Sequence, residues 1–174
     1  LIMKKIFFLV LLLAVSHIVF SQENKIKLKS GEIVYYVNNQ LYRDSNINYY
    51  FMSFLTIPTL EVKAQISDLG VSFLEYIPNK TFVVNLHDEF DVASLSKYEI
   101  TSLIPIEADH KLHPKLKDNI FPSWAIKDNQ LSIKVLLYKD INLLLTKDIF
   151  EKSGFKINNT NLSSNSITIT INFQ

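Results

Sequence analysis

The chain has 174 residues, of which 48% are hydrophobic and 20% are charged, and its formal net charge is +1. This length suits one domain or two small ones with buried cores, and the near-neutral charge offers no basic surface to nucleic acid or to an anionic membrane. Cysteine is absent. Disulfides and lipid attachment through cysteine are therefore excluded, and a hydrophobic core has to hold the fold together.

The first 21 residues have the pattern of a signal peptide. Lys4 and Lys5 form a basic start, an apolar run extends from Ile6 to Val15, and Ser21 supplies a small residue at a cleavage point. The run is short for a membrane span, which needs about 20 apolar residues, although an uncleaved anchor stays as an alternative. The sequence predicts export, cleavage near Ser21 and a periplasmic or extracellular location. Membrane contact is then expected only through this segment during export.

The next segment, residues 22–46, contains a possible small hairpin. Ile26 and Leu28 alternate with lysines, the stretch 32–37 is rich in residues that favour strands, and Asn38-Asn39 has turn chemistry. We expect this hairpin to precede the main folding unit.

The main pattern covers residues 47–108 and predicts an α+β domain. Its elements are a strand at 49–55, a helix at 58–69, strands at 71–76 and 81–86 joined by a turn at 77–80, a short helix at 92–97 and a strand at 98–106. The order is βαββαβ, which is the ferredoxin-like arrangement. The first strand is almost wholly apolar, as expected of a central strand that is covered on both faces or nearly so.

Local signals mark the helices of this unit. Val62, Ile66 and Leu69 form a single apolar stripe, so the first helix is expected to pack one face on a sheet. Thr59 can cap its start, and Gly70 can adopt the left-handed conformation that ends it. Such a domain is expected to offer an open sheet face or a helix face to a partner.

Residues 109–130 form a predicted connector, because periodicity lapses and Pro114, Pro122 and a polar 117–119 stretch interrupt it. The connector still carries apolar residues, namely Leu112, Leu116, Ile120, Phe121 and Trp124. We therefore expect the connector to lie against a surface.

A second α+β unit occupies residues 131–174 and repeats the first more loosely. The pattern predicts a strand at 131–138, a helix at 142–152, a strand at 155–157, a polar loop at 158–166 and a strand at 167–173. Leu145 and Ile149 form the predicted packing stripe of the helix, and Gly154 its stop. The unit lacks the last helix and strand of the first, so it is predicted to be truncated, with a complete small domain as the alternative.

Two polar clusters are candidate sites. His110 and His113 are spaced to share a metal on a helix with Asp109 as a third ligand, but Pro114 follows at once, so a solvated connector is the favoured interpretation. His87-Asp88-Glu89 contains a His–Asp pair, yet sequence neighbours rarely make the hydrogen bond that a catalytic triad needs. The sequence therefore predicts no catalytic, cofactor-binding or metal-ligating residue and no cofactor.

Several stretches carry a resemblance to a known family. Leu69-Gly70-Val71 and the stretch Tyr-Ile-Pro-Asn-Lys-Thr-Phe-Val-Val at 76–84 resemble the N-terminal prodomain of secreted bacterial subtilisin-like serine peptidases. In those prodomains a helix ends at Leu-Gly-Val or similar, and a Tyr-Ile-Pro-Asn turn leads into an apolar strand. Ile104-Pro105-Ile106 and the stretch 111–116 are similar to the end of the fourth prodomain strand and the Lys-Leu segment after it, so the resemblance covers residues 49–116. Phe20-Ser21-Gln22 resembles the junction in exported proteins of the Bacteroidetes type.

The resemblance implies a propeptide that assists folding of a peptidase domain and inhibits it until removed. The Asp, His and Ser motifs of that peptidase are absent from the chain, so no catalytic residue is carried over. The chain alone is not expected to be an enzyme, whereas the parent precursor would be a subtilisin-like serine endopeptidase. The implied partner is a peptidase domain in cis, downstream of Gln174.

Two other functions stay open at this point. One is a free-standing exported binding module or peptidase inhibitor with no attached enzyme. The other, weaker, is a metal-dependent enzyme that uses His110 and His113.

Overall fold

A computed structural model describes residues 24–37, 41–44, 46–88 and 90–172. The predicted signal peptide, the Asn38-Asn39 turn, Glu89 and the end of the last predicted strand at Phe173 lie outside these residues. The predicted α+β class is confirmed, because antiparallel sheets and a few helices together make up the described chain. Within it, no helix is both long and apolar enough to cross a membrane.

The described strands are β1 Asn24–Leu28, β2 Gly31–Tyr35, β3 Tyr49–Phe54, β4 Val71–Ile77, β5 Thr81–Leu86, β6 Ile100–Pro105, β7 Ile126–Lys127, β8 Gln130–Leu136, β9 Lys156–Asn161 and β10 Ser166–Asn172. The helices are α1 Leu60–Asp68, α2 Ala108–Lys111, α3 Pro114–Lys117 and α4 Leu143–Lys152, with 3-10 helices at Val92–Lys97 and Ser123–Ala125. We call β1–β2 the N-terminal hairpin, β3 to β6 the first unit and β7 to β10 the second unit.

The first unit is a four-stranded antiparallel sheet in the order β4-β5-β3-β6. On one face α1 packs through Ile66, which is completely buried, and the first 3-10 helix through Leu95, also completely buried. The predicted capping residue is confirmed, since Thr59 Oγ1 accepts a hydrogen bond from the Val62 N–H at 3.3 Å. The glycine stop is confirmed as well, because Gly70 has φ +103° just after the helix.

The N-terminal hairpin covers the other face of this sheet. Ile26 is completely buried in a cluster with Phe51, Val83 and Ile106, and fully burying a side chain of this size stabilises a fold by roughly 1.5–3 kcal/mol. β3 is therefore covered on both faces, as its apolar sequence predicts. Of the two surfaces expected to face a partner, the open sheet face is wrong for this unit, because the N-terminal hairpin covers that face, and the helix face stays a prediction.

The second unit repeats part of this arrangement in the sheet order β7-β8-β10-β9. Strands β8, β9 and β10 with helix α4 have the same order and directions as β3, β4 and β5 with α1. The short strand β7, which the sequence pattern missed, pairs with β8 on the side where β6 pairs with β3. Leu143 of α4 packs with Ile167 and Ile169 of β10 and forms a core between the helix and the sheet.

The predicted packing stripe of α4 is wrong. Leu145 and Ile149 are 61% and 51% exposed, whereas Leu143 is buried and Phe150 packs against the core. Both pairs fit helical periodicity, because this helix carries apolar residues on several sides. Periodicity alone therefore cannot decide which pair faces the sheet.

Two further expectations need correction. The predicted loop at 158–166 is shorter, since β9 extends to Asn161 and the amide of Asn158 donates to Thr170 Oγ1 on the neighbouring strand. In the connector, Trp124 and Ile120 are 84% and 59% exposed, whereas Leu116 and Phe121 are half-buried, so only part of its apolar set is covered. An apolar residue in a connector therefore gives no reliable sign of burial, since much of a protein surface is apolar.

Candidate functional site

The two connector histidines lie in the first turns of two short helices, His110 as the third residue of α2 and His113 as the N-cap of α3. Nδ1 of His110 accepts a hydrogen bond from the backbone N–H of Glu107 at 3.1 Å, and its ring meets the edge of Phe51 with centroids 5.8 Å apart. Nδ1 of His113 accepts from the backbone N–H of Lys115 at 3.2 Å, as the N-cap of α3. One nitrogen of each imidazole is therefore occupied by a backbone N–H. The described residues contain no group of three or more His, Cys, Asp or Glu side chains that could hold a metal.

The structure does not join the His87-Asp88 pair into a catalytic arrangement. Nε2 of His87 lies 3.3 Å from Ser72 Oγ, and Asp88 Oδ1 instead accepts from Asn48 Nδ2 at 3.1 Å. The aspartate therefore does not orient the imidazole, and Glu89 lies outside the described residues.

A cleft of about 420 Å³ separates the tip of the N-terminal hairpin from α2 and α3. Its lining residues are Leu28, Ser30, Gly31, Glu32, Ile33, Val34, Glu107, Asp109, His110 and Lys117. Two of the three carboxylates that line it have cationic partners, because Glu32 lies 3.8 Å from Lys25 and Asp109 lies 3.5 Å from Lys117. The sequence pattern did not reveal this cleft, which forms between segments far apart in the chain.

The turn that carries the family resemblance is a structural anchor. Asn79 and Lys80 have φ +71° and +59°, a left-handed conformation that asparagine tolerates better than most residues. Asn79 Nδ2 donates to the Lys25 carbonyl in the hairpin at 2.7 Å, and Lys80 Nζ donates to the Leu55 carbonyl at 2.7 Å. We call residues 77–81 the anchor turn, because it ties the hairpin and the end of β3 to the β4–β5 connection.

A polar and aromatic cluster links the two units, and we call it the junction cluster. Tyr49 and Tyr138 stack with ring centroids 4.5 Å apart. Oδ2 of Asp140 accepts from Tyr49 OH at 3.2 Å and from Asn85 Nδ2 at 2.7 Å. Sequence reasoning missed the cluster because its members come from separate strands and loops, and no local pattern marks them.

The junction cluster shifts the acidity of both tyrosines. Burial, followed by the charge of Asp140 and its hydrogen bond, raises the pKa of Tyr49 to about 12. Burial also raises the pKa of Tyr138, with smaller contributions from Glu75 and Asp140. Both shifts favour the neutral phenol, so Tyr49 acts as a hydrogen-bond donor to Asp140 and not as a base.

Comparison with known proteins found a family match for one part of the chain. A protein-family model described as "Domain of unknown function (DUF8729)" matches residues 20–107, just over half of the chain. No curated protein and no solved structure matches significantly. The matched range includes the N-terminal hairpin and the first unit, and it ends immediately before α2.

Proposed function

The chain belongs to the family described as "Domain of unknown function (DUF8729)", and because this description states no function, we propose one from the architecture of the chain. The chain is the propeptide region of a secreted subtilisin-like serine peptidase precursor. It assists the folding of the peptidase domain and inhibits that domain until it is removed.

One observation carries this proposal, the strand order β4-β5-β3-β6 with all neighbours antiparallel. Helix α1 connects β3 to β4, and the 3-10 helix Val92–Lys97 connects β5 to β6. We infer a ferredoxin-like arrangement whose second crossover helix is shortened to a 3-10 helix. This is the fold that the prodomain resemblance implies, and the anchor turn occupies its β4–β5 hairpin, where the Tyr-Ile-Pro-Asn stretch lies.

The proposed mechanism uses binding energy and an added strand. A domain that binds the native-like peptidase stabilises that state relative to the unfolded one. Inhibition results when an extended segment occupies the substrate cleft and pairs as a strand. In the first unit β4 and β6 are the outer strands, and an outer strand presents a row of backbone groups to such pairing.

The deciding experiment begins with the DNA downstream of the Gln174 codon. We expect an open frame that encodes a domain with Asp, His and Ser motifs. That domain would be unfolded and then refolded with and without the full chain, and its peptidase activity measured. The expected result is recovered activity only with the chain, followed by inhibition when more chain is added.

A Phe51→Asp chain is the matched control, because a charge at this buried position disrupts the domain without changing the rest of the sequence. It should neither assist refolding nor inhibit. Equal refolding without any chain would reject the propeptide function. An immediate stop codon would favour the free-standing exported binding module or inhibitor instead.

A further inference from the structure

The segment between the two units is poorly protected. From Lys111 to Ile120 every residue is exposed except Pro114 and Leu116, which are half-buried. Helices α2 and α3 have four residues each, and helices this short are marginal without support from packing. Local opening here should therefore cost little free energy compared with opening a sheet.

The backbone at the centre of this segment already has a substrate-like shape. Endopeptidases bind extended chains, which pair with them as an added strand. Leu112 has φ −82° and ψ 132°, and His113 has φ −64° and ψ 141°, so both are extended between the two short helices. Lys111 is exposed immediately before them. Helix α2 is a single turn of four residues, and its unwinding, with release of the Ser30 Oγ hydrogen bond to the His110 carbonyl, presents the bond between Lys111 and Leu112.

The segment also separates two cores. The clusters of the first unit and the hairpin draw on residues up to Ile106, with Tyr138 as the one contribution from beyond it among the described residues. The second core lies between Ile133 and Ile171. The family match ends at residue 107, just before the segment. A break at Lys111 would thus leave each core intact.

We propose that the Lys111–Leu112 peptide bond is a processing site for an endopeptidase that cleaves after lysine. Water adds its hydroxyl group to the carbonyl carbon of Lys111 and the C–N bond breaks. A carboxylate remains on Lys111, and the nitrogen of Leu112 takes up both protons of the water and leaves as a protonated amine. The inference does not depend on the propeptide function, because the endopeptidase acts in trans.

After cleavage the two pieces stay associated through the junction cluster. Tyr138 stacks on Tyr49, and Asp140 accepts hydrogen bonds from Tyr49 and Asn85. The processed protein is then a nicked pair of units.

The test uses the full chain and a small amount of trypsin, which cleaves after lysine and arginine, with intact mass spectrometry over time. Within residues 24–172 the first cut is expected after Lys111. Lys111→Gln should slow the cut between residues 111 and 112 by about tenfold or more, because trypsin requires a lysine or arginine before the bond that local opening exposes. Lys111→Arg should keep the rate, and Lys115→Gln in α3 should change it by less than about twofold.

The rival sites include exposed lysines outside the segment, such as Lys139 in the loop after β8, Lys152 at the end of α4 and Lys156 in β9. A first cut after any residue other than Lys111, or an unchanged rate in Lys111→Gln, would overturn the proposal. Circular dichroism of each variant establishes that it is folded, and the mapped cut in the unaltered chain decides the question even where a variant is not. Co-elution of the two fragments on gel filtration is the expected result for the nicked pair, and separation of the fragments would reject it.

Discussion

The first and second units share a backbone plan. In each, the residue just before the third strand of the repeat is left-handed, and its carbonyl accepts a hydrogen bond from the end of the first strand. Lys80 accepts from the Phe54 N–H at 3.0 Å, and Asn165 accepts from the Leu137 N–H at 2.9 Å. Each helix of the repeat is followed by a left-handed glycine. The two units therefore differ less in backbone than in what their strands bury.

The difference lies on the sheet face away from the helix. In the first unit Phe51 and Val83 are paired there, each 3% exposed beneath the N-terminal hairpin. In the second unit Lys134 and Thr168 are paired at the middle of the corresponding strands, with Lys134 exposed. One strand order thus serves a sheet buried on both sides and a sheet buried on one side, and the side chains decide which.

The largest expected effect comes from removing the buried ring of the first unit. Phe51→Ala should lower the free energy of unfolding by about 3–5 kcal/mol, since it opens a cavity under the hairpin. Lys134→Ala, the matched change in the second unit, should change it by less than about 0.5 kcal/mol. Chemical denaturation of both variants measures this. Similar losses in the two variants would mean that the faces are not covered as described.

A smaller effect is expected at the left-handed asparagines. Asn79 donates to the Lys25 carbonyl at 2.7 Å, and Asn165 donates to the Tyr138 carbonyl at 2.8 Å. Alanine at either position should destabilise the protein by about 1–3 kcal/mol, through backbone strain and the lost hydrogen bond. Glycine removes the hydrogen bond but tolerates the conformation, so it should cost less in thermal melts. A glycine variant as unstable as the alanine variant would exclude strain as a cause.

The smallest expected effect concerns the contact between the units. Asp140→Asn removes the charge that helps to raise the pKa of Tyr49 to about 12, so that pKa should fall toward the ordinary 10.0. Because folding raises this pKa, its contribution to stability is complete below pH 10 and is lost as the pH rises through about 12. NMR titration of the tyrosine ring carbons measures the shift, with Tyr49→Phe to assign the signal. The pKa of Tyr50, which burial raises, should not change in this variant. An unchanged pKa of Tyr49 would contradict the contact between Tyr49 and Asp140.

Local signals were enough to predict much of the first unit. Thr59 caps α1, Gly70 ends it, and the apolar run of β3 indicates two covered faces, because each of these effects acts within a few residues. The inward face of α4 was not predictable, since Leu145 and Leu143 are equally apolar and only the position of the sheet selects between them. The junction cluster could not be predicted either, because Tyr49 and Asp140 are 91 residues apart in the sequence.

The N-terminal hairpin has a consequence for the order of events during synthesis. Its tip is held by the hydrogen bond from Ser30 Oγ to the His110 carbonyl, at 2.8 Å and across 80 residues. A ribosome adds about 5–20 residues per second, so the hairpin waits roughly 4–16 s for that partner to be made. The strands of the hairpin can dock sooner, because Phe51, Val83 and Asn79, which hold them, are all made before His110. The tip of the hairpin is thus the last part of it to be fixed, although it belongs to the first segment to be made.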